Sequence, residues 1–140
     1  MIWASLSLVL LAGACSGGDG GTASPTSSTP TVAADRPAST AKLAIVSPRN
    51  GEVVHGSIVQ LKVSLKDAKV VPATTTDIVP DEGHLHVLLD GELVTMTGEL
   101  QQLIANLAPG QHLLKVEFVA TDHAPFDPRV IAAVAFEVTG

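Results

Sequence analysis

The tightest constraint on this chain is the stretch Gly83-His84-Leu85-His86-Val87-Leu88-Leu89-Asp90-Gly91. It is apolar and ends in Asp-Gly, a dipeptide that favours a two-residue hairpin turn because both positions tolerate the positive φ such a turn needs. In an extended chain Leu85, Val87 and Leu89 share one face, and His84, His86 and Leu88 share the other. The two histidines then lie roughly 7 Å apart on one side, a spacing at which two imidazoles can share one metal ion. The segment reads as a central strand whose hairpin partner returns over residues 92–97.

The same period of two recurs along the chain. Residues 43–46 form a short strand stopped by Ser47-Pro48, and Arg49-Asn50-Gly51 is a turn. Val53-Val54 is a short extra piece. Residues 58–66 alternate Val59, Leu61, Val63 and Leu65 with Gln60, Lys62, Ser64 and Lys66, the pattern of a half-buried strand. Residues 67–82 are loop-like, with room for one short strand. In residues 99–107, Leu100, Leu103, Ile104 and Leu107 fit a single helical turn, and a short strand fits equally. Pro109-Gly110 turns the chain into a strand over 112–119. A polar loop over 121–128 then leads to a last strand over 130–139.

Seven or so short strands with Gly/Pro turns make this an all-β chain, and the architecture that fits is a Greek-key, immunoglobulin-like (Ig-like) β-sandwich. An eight-stranded small barrel is the alternative. The antibody hallmarks are absent: Cys15 is the one cysteine and Trp3 the one tryptophan, both ahead of the strands. No intramolecular disulfide can form, so the core alone must hold the fold.

Ahead of the strands the chemistry changes. Residues 1–14 read as a signal peptide, an apolar run too short to span a bilayer followed by Ala12-Gly13-Ala14. Small residues immediately before Cys15 fit cleavage there and lipidation of its thiol, so the chain is expected to be exported and anchored to a membrane, facing outside the cytoplasm. The absence of Lys and Arg from the first residues departs from that pattern. Residues 15–41 are the lipidated cysteine and a Ser/Gly/Thr/Pro tether that cannot bury enough apolar area to offset its ordering entropy. A flexible coil of this length spans about 30 Å root mean square. The folded domain is expected over residues 42–140.

The net charge of −6 falls entirely within residues 43–140. An acidic domain lacks the basic patch that phosphate binding requires, which excludes nucleic acid as a partner, and it is not drawn to anionic lipid. Phe118, Phe126 and Phe136 are the only aromatic residues outside the first three positions, too few for a stacking platform.

In an Ig-like sandwich the 84–90 strand takes position C and the 112–119 strand position F, side by side and antiparallel. That brings His84 and His86 towards Asp122 and His123 at one end, and leaves His55 and His112 at the other. Two readings compete for the first group. In one, His84, His86 and His123 ligate a metal ion, with Asp122 ligating or orienting a ring. Three imidazoles with an oxygen suit Zn²⁺ or Cu²⁺, and the lack of nearby Cys and Met ligands argues against Cu⁺. In the other, the same side chains tie two loops together through hydrogen bonds to backbone. His112, Asp90 and Gly91 read as structural turn residues. No phosphate loop, nucleophile elbow or Ser-His-Asp pattern is present, so the chain does not read as an enzyme. What remains is a lipid-anchored extracytoplasmic binding or structural module of unknown ligand. A protein binding Cu²⁺ or Zn²⁺ through a histidine cluster is the alternative, and a protein partner is left open.

The set G-H-x-H at 83–86, D-G at 90–91, L-x-P-G-x-H-x-L at 107–114 and D-H-x-P-x-x-P at 122–128 resembles a group of bacterial exported proteins and lipoproteins without an assigned activity. The likeness spans most of residues 43–140. It implies an Ig-like domain and no particular chemistry.

Overall fold

The alternating segments all form strands. The structure is a computed structural model that describes residues 35–72 and 74–140. The signal segment, Cys15 and the tether as far as residue 34 lie outside the described residues. The strands are β1 (Lys42–Ser47), β2 (Glu52–His55), β3 (Val59–Lys66), β4 (Lys69–Val70), β5 (Glu82–Leu89), β6 (Glu92–Thr97), β7 (Gln101–Ile104), β8 (Gly110–Ala120) and β9 (Pro125–Thr139). The first sheet has the order β1-β3-β7, and the second has β2-β9-β8-β5, with β4 and β6 sharing the far side of β5. The N-terminal strand divides between the sheets: β1 pairs antiparallel with β3, and β2 pairs parallel with β9. This is an Ig-like β-sandwich in which β5 takes position C and β8 position F; the two sheets do not close into a barrel.

One core lies between the sheets. Val59, Leu61 and Val63 of β3 meet Leu85 and Val87 of β5, Leu114, Val116 and Phe118 of β8, and Phe136 and Val138 of β9. These are the inward members of each period-two pattern, so burial follows directly from alternation. Residues 101–104 resolve as strand: Ile104 is buried and Leu103, next to it, is 68% exposed. A helical stripe would have buried both, whereas a strand turns neighbours to opposite faces.

The expected polar loop over 121–128 is shorter. Only Thr121 to Ala124 separate β8 from β9. The ladder pairs Val119 with Pro125 and then Phe118 with Val130, so Phe126 to Arg129 bulge out of it. Phe126 is fully buried and stacks on Phe118 with ring centroids 5.6 Å apart. Arg129 reaches back from the bulge to the buried Glu117, with Nε 2.7 Å from Oε1.

The domain's contacts begin before residue 42. Arg36 bonds the β8–β9 turn, Ser39 Oγ donates to the Pro80 carbonyl (2.6 Å), and Thr40 Oγ1 donates to the Asp67 carbonyl (2.7 Å). Composition assigns these residues to the tether because small polar residues and proline carry no periodic signal, yet they bond to three loops of the sandwich.

The β5–β8 pairing is continuous from Gly83↔Ala120 to Leu89↔Leu114. At its start the strands approach so closely that a Cβ on Gly83 would collide with the Val119 carbonyl and the Phe118 ring. Neither neighbour can yield, one being ladder backbone and the other a core aromatic. Gly83→Ala should therefore cost about 1–3 kcal/mol, the range of overpacked cores. Urea unfolding measures this as a lower midpoint at unchanged slope; an unchanged midpoint contradicts it.

Candidate metal centre

His84 and His86 stand on the outer face of the second sheet, because Leu85 and Val87 take the inner one. His84 is only 7% exposed, and His86 is half-buried. His123 comes to them from the Thr121-Asp122-His123-Ala124 turn. Its backbone is left-handed, with φ 66°, a conformation that favours glycine and that a Cβ makes costly. The surrounding bonds hold it there. The His123 N–H donates to the Ala120 carbonyl (2.9 Å), the Ala120 N–H donates to the Ala124 carbonyl (3.1 Å), and the Ala124 N–H donates to Asp122 Oδ1 (3.1 Å). The buried Thr121 hydroxyl lies 3.3 Å from the carbonyls of Thr75 and of Asp77, docking the turn onto the β4–β5 loop.

The outcome is a convergence of ring nitrogens. His123 Nδ1 lies 2.7 Å from His84 Nε2 and 3.5 Å from His86 Nε2. One nitrogen from each of the three rings falls within 4.8 Å of the others. On its far side, His123 Nε2 is 3.2 Å from Thr74 Oγ1. A 2.7 Å approach between two ring nitrogens needs one N–H and one lone pair, so both cannot be protonated. Burial lowers the His84 pKa to about 4, helped by the neighbouring His123 and His86. Burial and then His123 also lower that of His86. Both rings are thus held in the neutral form that can ligate a metal at neutral pH.

Asp122 is not in this group. Its carboxylate is taken by Arg36, with Nη1 2.6 Å from Oδ2 and Nη2 2.9 Å from Oδ1, and that bidentate pair lowers its pKa to about 2. Arg36 also donates to the Pro125 carbonyl from Nε (2.8 Å) and to the Ala124 carbonyl from Nη2 (2.9 Å). Asp122 therefore shapes the turn that presents His123, with both of its carboxylate oxygens taken by Arg36. Sequence reasoning missed Arg36, since a single arginine in a Ser/Pro/Ala run has no pattern to mark it.

A methionine stands beside the cluster, against the sequence expectation. With a two-residue Asp90-Gly91 turn, Leu89 pairs with Glu92 and Leu88 with Leu93, and continuing that register would set Thr95 opposite His86. A bulge between Val87 and Leu88 shifts the ladder by one, so Met96 lies opposite His86 instead. Met96 lines the same cleft as His84, His123 and Thr74.

The histidines at the other end are bonded differently. His112 Nδ1 donates to Asp90 Oδ2 (2.7 Å), and its Nε2 donates to the Ala108 carbonyl (2.8 Å). Both ring nitrogens face oxygen acceptors, so this ring is satisfied as an imidazolium. Asp90 and Gly91 both have positive φ, 53° and 93°, and make the β5–β6 turn. Asp90 Oδ1 accepts the Leu113 N–H (2.8 Å), which fixes that turn to β8. His55 Nδ1 lies 2.8 Å from Thr139 Oγ1 at the end of β2.

No protein-family model matches the sequence. No curated protein matches it. Among solved structures the chain is similar to the fibronectin(III)-like modules of Clostridium thermocellum CbhA, with TM-score 0.45 and 14% identity, covering 70% of this chain and 96% of that one. It is similar to the PKD domain of human KIAA0319, with TM-score 0.45 and 15% identity over 87% and 92% of the two chains. It is also similar to CopC from Methylosinus trichosporium OB3b, with TM-score 0.37 and 19% identity over 69% and 93%.

The His112–Asp90 pair has a pH signature. The Ala108 carbonyl and then the Asp90 carboxylate raise the His112 pKa above 6.5, and the Leu113 N–H, followed by His112, lowers that of Asp90 below 3.8. A raised histidine adds stability below its unfolded pKa and loses it as pH rises through the folded one; a lowered aspartate loses its contribution as pH falls through its own folded pKa. The stability gap between the parent protein and His112→Gln should thus be widest between about pH 4 and 6.5 and shrink above that window. Urea midpoints across pH 4–9 check this; a gap that widens towards alkaline pH contradicts it.

Proposed function

We propose that this chain is an exported, lipid-anchored binding module of Ig-like fold whose ligand is a transition-metal ion, Cu²⁺ or Zn²⁺, held by His84, His86 and His123. The observation that carries the reading is the convergence of three ring nitrogens about His123 Nδ1, at 2.7 and 3.5 Å. In a tetrahedral site with metal–nitrogen bonds of about 2.0–2.1 Å, neighbouring nitrogens stand roughly 3.3 Å apart. Small ring rotations therefore suffice to admit an ion. The contrast with His112 supports the same reading. A histidine that only fastens loops gives both nitrogens to oxygen acceptors, as His112 does, whereas each of these rings turns one nitrogen towards the other two. Binding, not catalysis, is the function proposed.

A second reading has one observation in its favour. The His84–His123 contact joins β5 to the β8–β9 turn and can serve as a plain hydrogen bond between them. Calorimetric titration of the purified full-length protein with Zn²⁺ and with Cu²⁺ separates the two. The metal reading expects 1:1 binding at micromolar affinity or tighter, weakened at least tenfold in His86→Ala and in His123→Gly. Glycine suits the φ of 66° at position 123, so that variant removes the ligand while keeping the turn. Absence of binding, or binding indifferent to both changes, leaves the second reading.

The anchor proposal rests on Cys15 and the segment before it. Cys15→Ala should release the protein from the membrane fraction or leave its precursor uncleaved. Retention in membranes with normal processing contradicts it.

A further inference from the structure

Resting on the metal reading above, we infer that Met96 is a fourth ligand and that the ion this site is built for is copper, held as Cu⁺ as well as Cu²⁺. The register of the β5–β6 hairpin sets Met96 directly opposite His86. Residues paired in this way share a face and have Cβ atoms about 4.5–5.5 Å apart. The thioether is thus on the outer face with the two strand histidines, and Met96 lines the cleft that His84 and His123 line. Three rotatable bonds let its sulfur reach an ion seated among the imidazoles.

Three features make this more than a stray apolar side chain. Met96 is 55% exposed, so core packing does not account for it. It is the sole methionine in the chain apart from Met1. It reaches this face only through the one-residue bulge between Val87 and Leu88, without which it would pair with Leu85 over the core. The donor set is then three imidazoles and a neutral thioether. Imidazole serves Zn²⁺ and Cu²⁺ alike, whereas a thioether is a soft donor that favours Cu⁺. A site with Met96 in place keeps Cu⁺ where three imidazoles alone would hold it less tightly.

The test uses the full-length protein carrying Cys15→Ser, so that no thiol competes for Cu⁺. Cu⁺ affinity is measured anaerobically by competition with bicinchoninate, and Cu²⁺ and Zn²⁺ affinities by calorimetry, in this parent and with Met96→Leu added. Leucine preserves the bulk of an exposed side chain, and circular dichroism checks the fold. The expected result is a Cu⁺ affinity at least tenfold lower with Met96→Leu, with Zn²⁺ affinity unchanged. X-ray absorption of the Cu⁺ form should show one sulfur neighbour that Met96→Leu removes. Equal Cu⁺ affinity in parent and variant, or no sulfur neighbour in the parent, overturns the role of Met96. A parent that binds none of the three ions overturns the metal reading itself.

Discussion

The pairing of β5 with β8 is the constraint on which the rest of the structure depends. Its seven successive pairs, from Gly83↔Ala120 to Leu89↔Leu114, press Leu85 and Val87 against the inward side chains of β8. Because side chains alternate, the same backbone must carry His84 and His86 on the other face. Core and site are two sides of one ladder. A shift of a single residue would bury the histidines and expose the leucine and valine, so the apolar face fixes the position of the polar one. Gly83 is where this coupling is tightest, since it allows the strands to close immediately ahead of His84.

The third histidine depends on a different device. No ladder holds His123; a four-residue turn does, and that turn is fastened from two directions. Thr121 ties it to the β4–β5 loop, and Arg36 clamps Asp122 together with two neighbouring carbonyls. The left-handed backbone of His123 is offset by these bonds. An arginine held by a bidentate carboxylate and two carbonyls is a more rigid support than a surface ion pair between two flexible side chains. The segment leading into the domain is therefore part of the scaffold that aims the ring.

What was legible in the sequence followed periodicity and turn chemistry. Alternation marked β3, β5 and β8 and their inward residues, and Asp90-Gly91 marked the hairpin with its two positive φ values. The Ig-like topology then brought His84, His86 and His123 to one end. What was not legible depended on irregularities. Phe126 lies in a run rich in Asp and Pro that reads as surface loop, yet a bulge folds it into the core against Phe118. Met96 is on the histidine face only because of a bulge that no local pattern announces. Arg36 acts across more than eighty residues of sequence, and no local pattern announces its hold on the Asp122 carboxylate. Periodic signals report strands and faces; long-range polar contacts and bulges leave no periodic trace.

The distribution of strand lengths has a consequence for how the domain behaves in company. The four longest strands, β3, β5, β8 and β9, are all interior to their sheets. Most rim positions are taken by a piece of six residues or fewer, and β1 and the β5–β6 rim are interrupted by register breaks, but β2 flanks β9 only over Phe136–Thr139. A neighbouring molecule seeking to extend either sheet therefore finds short or broken rims, except along residues 130–135 of β9, which pair with β8 on one side and with no strand on the other among the described residues. Among the described residues, strand addition by a second copy is thereby confined to that flank of β9.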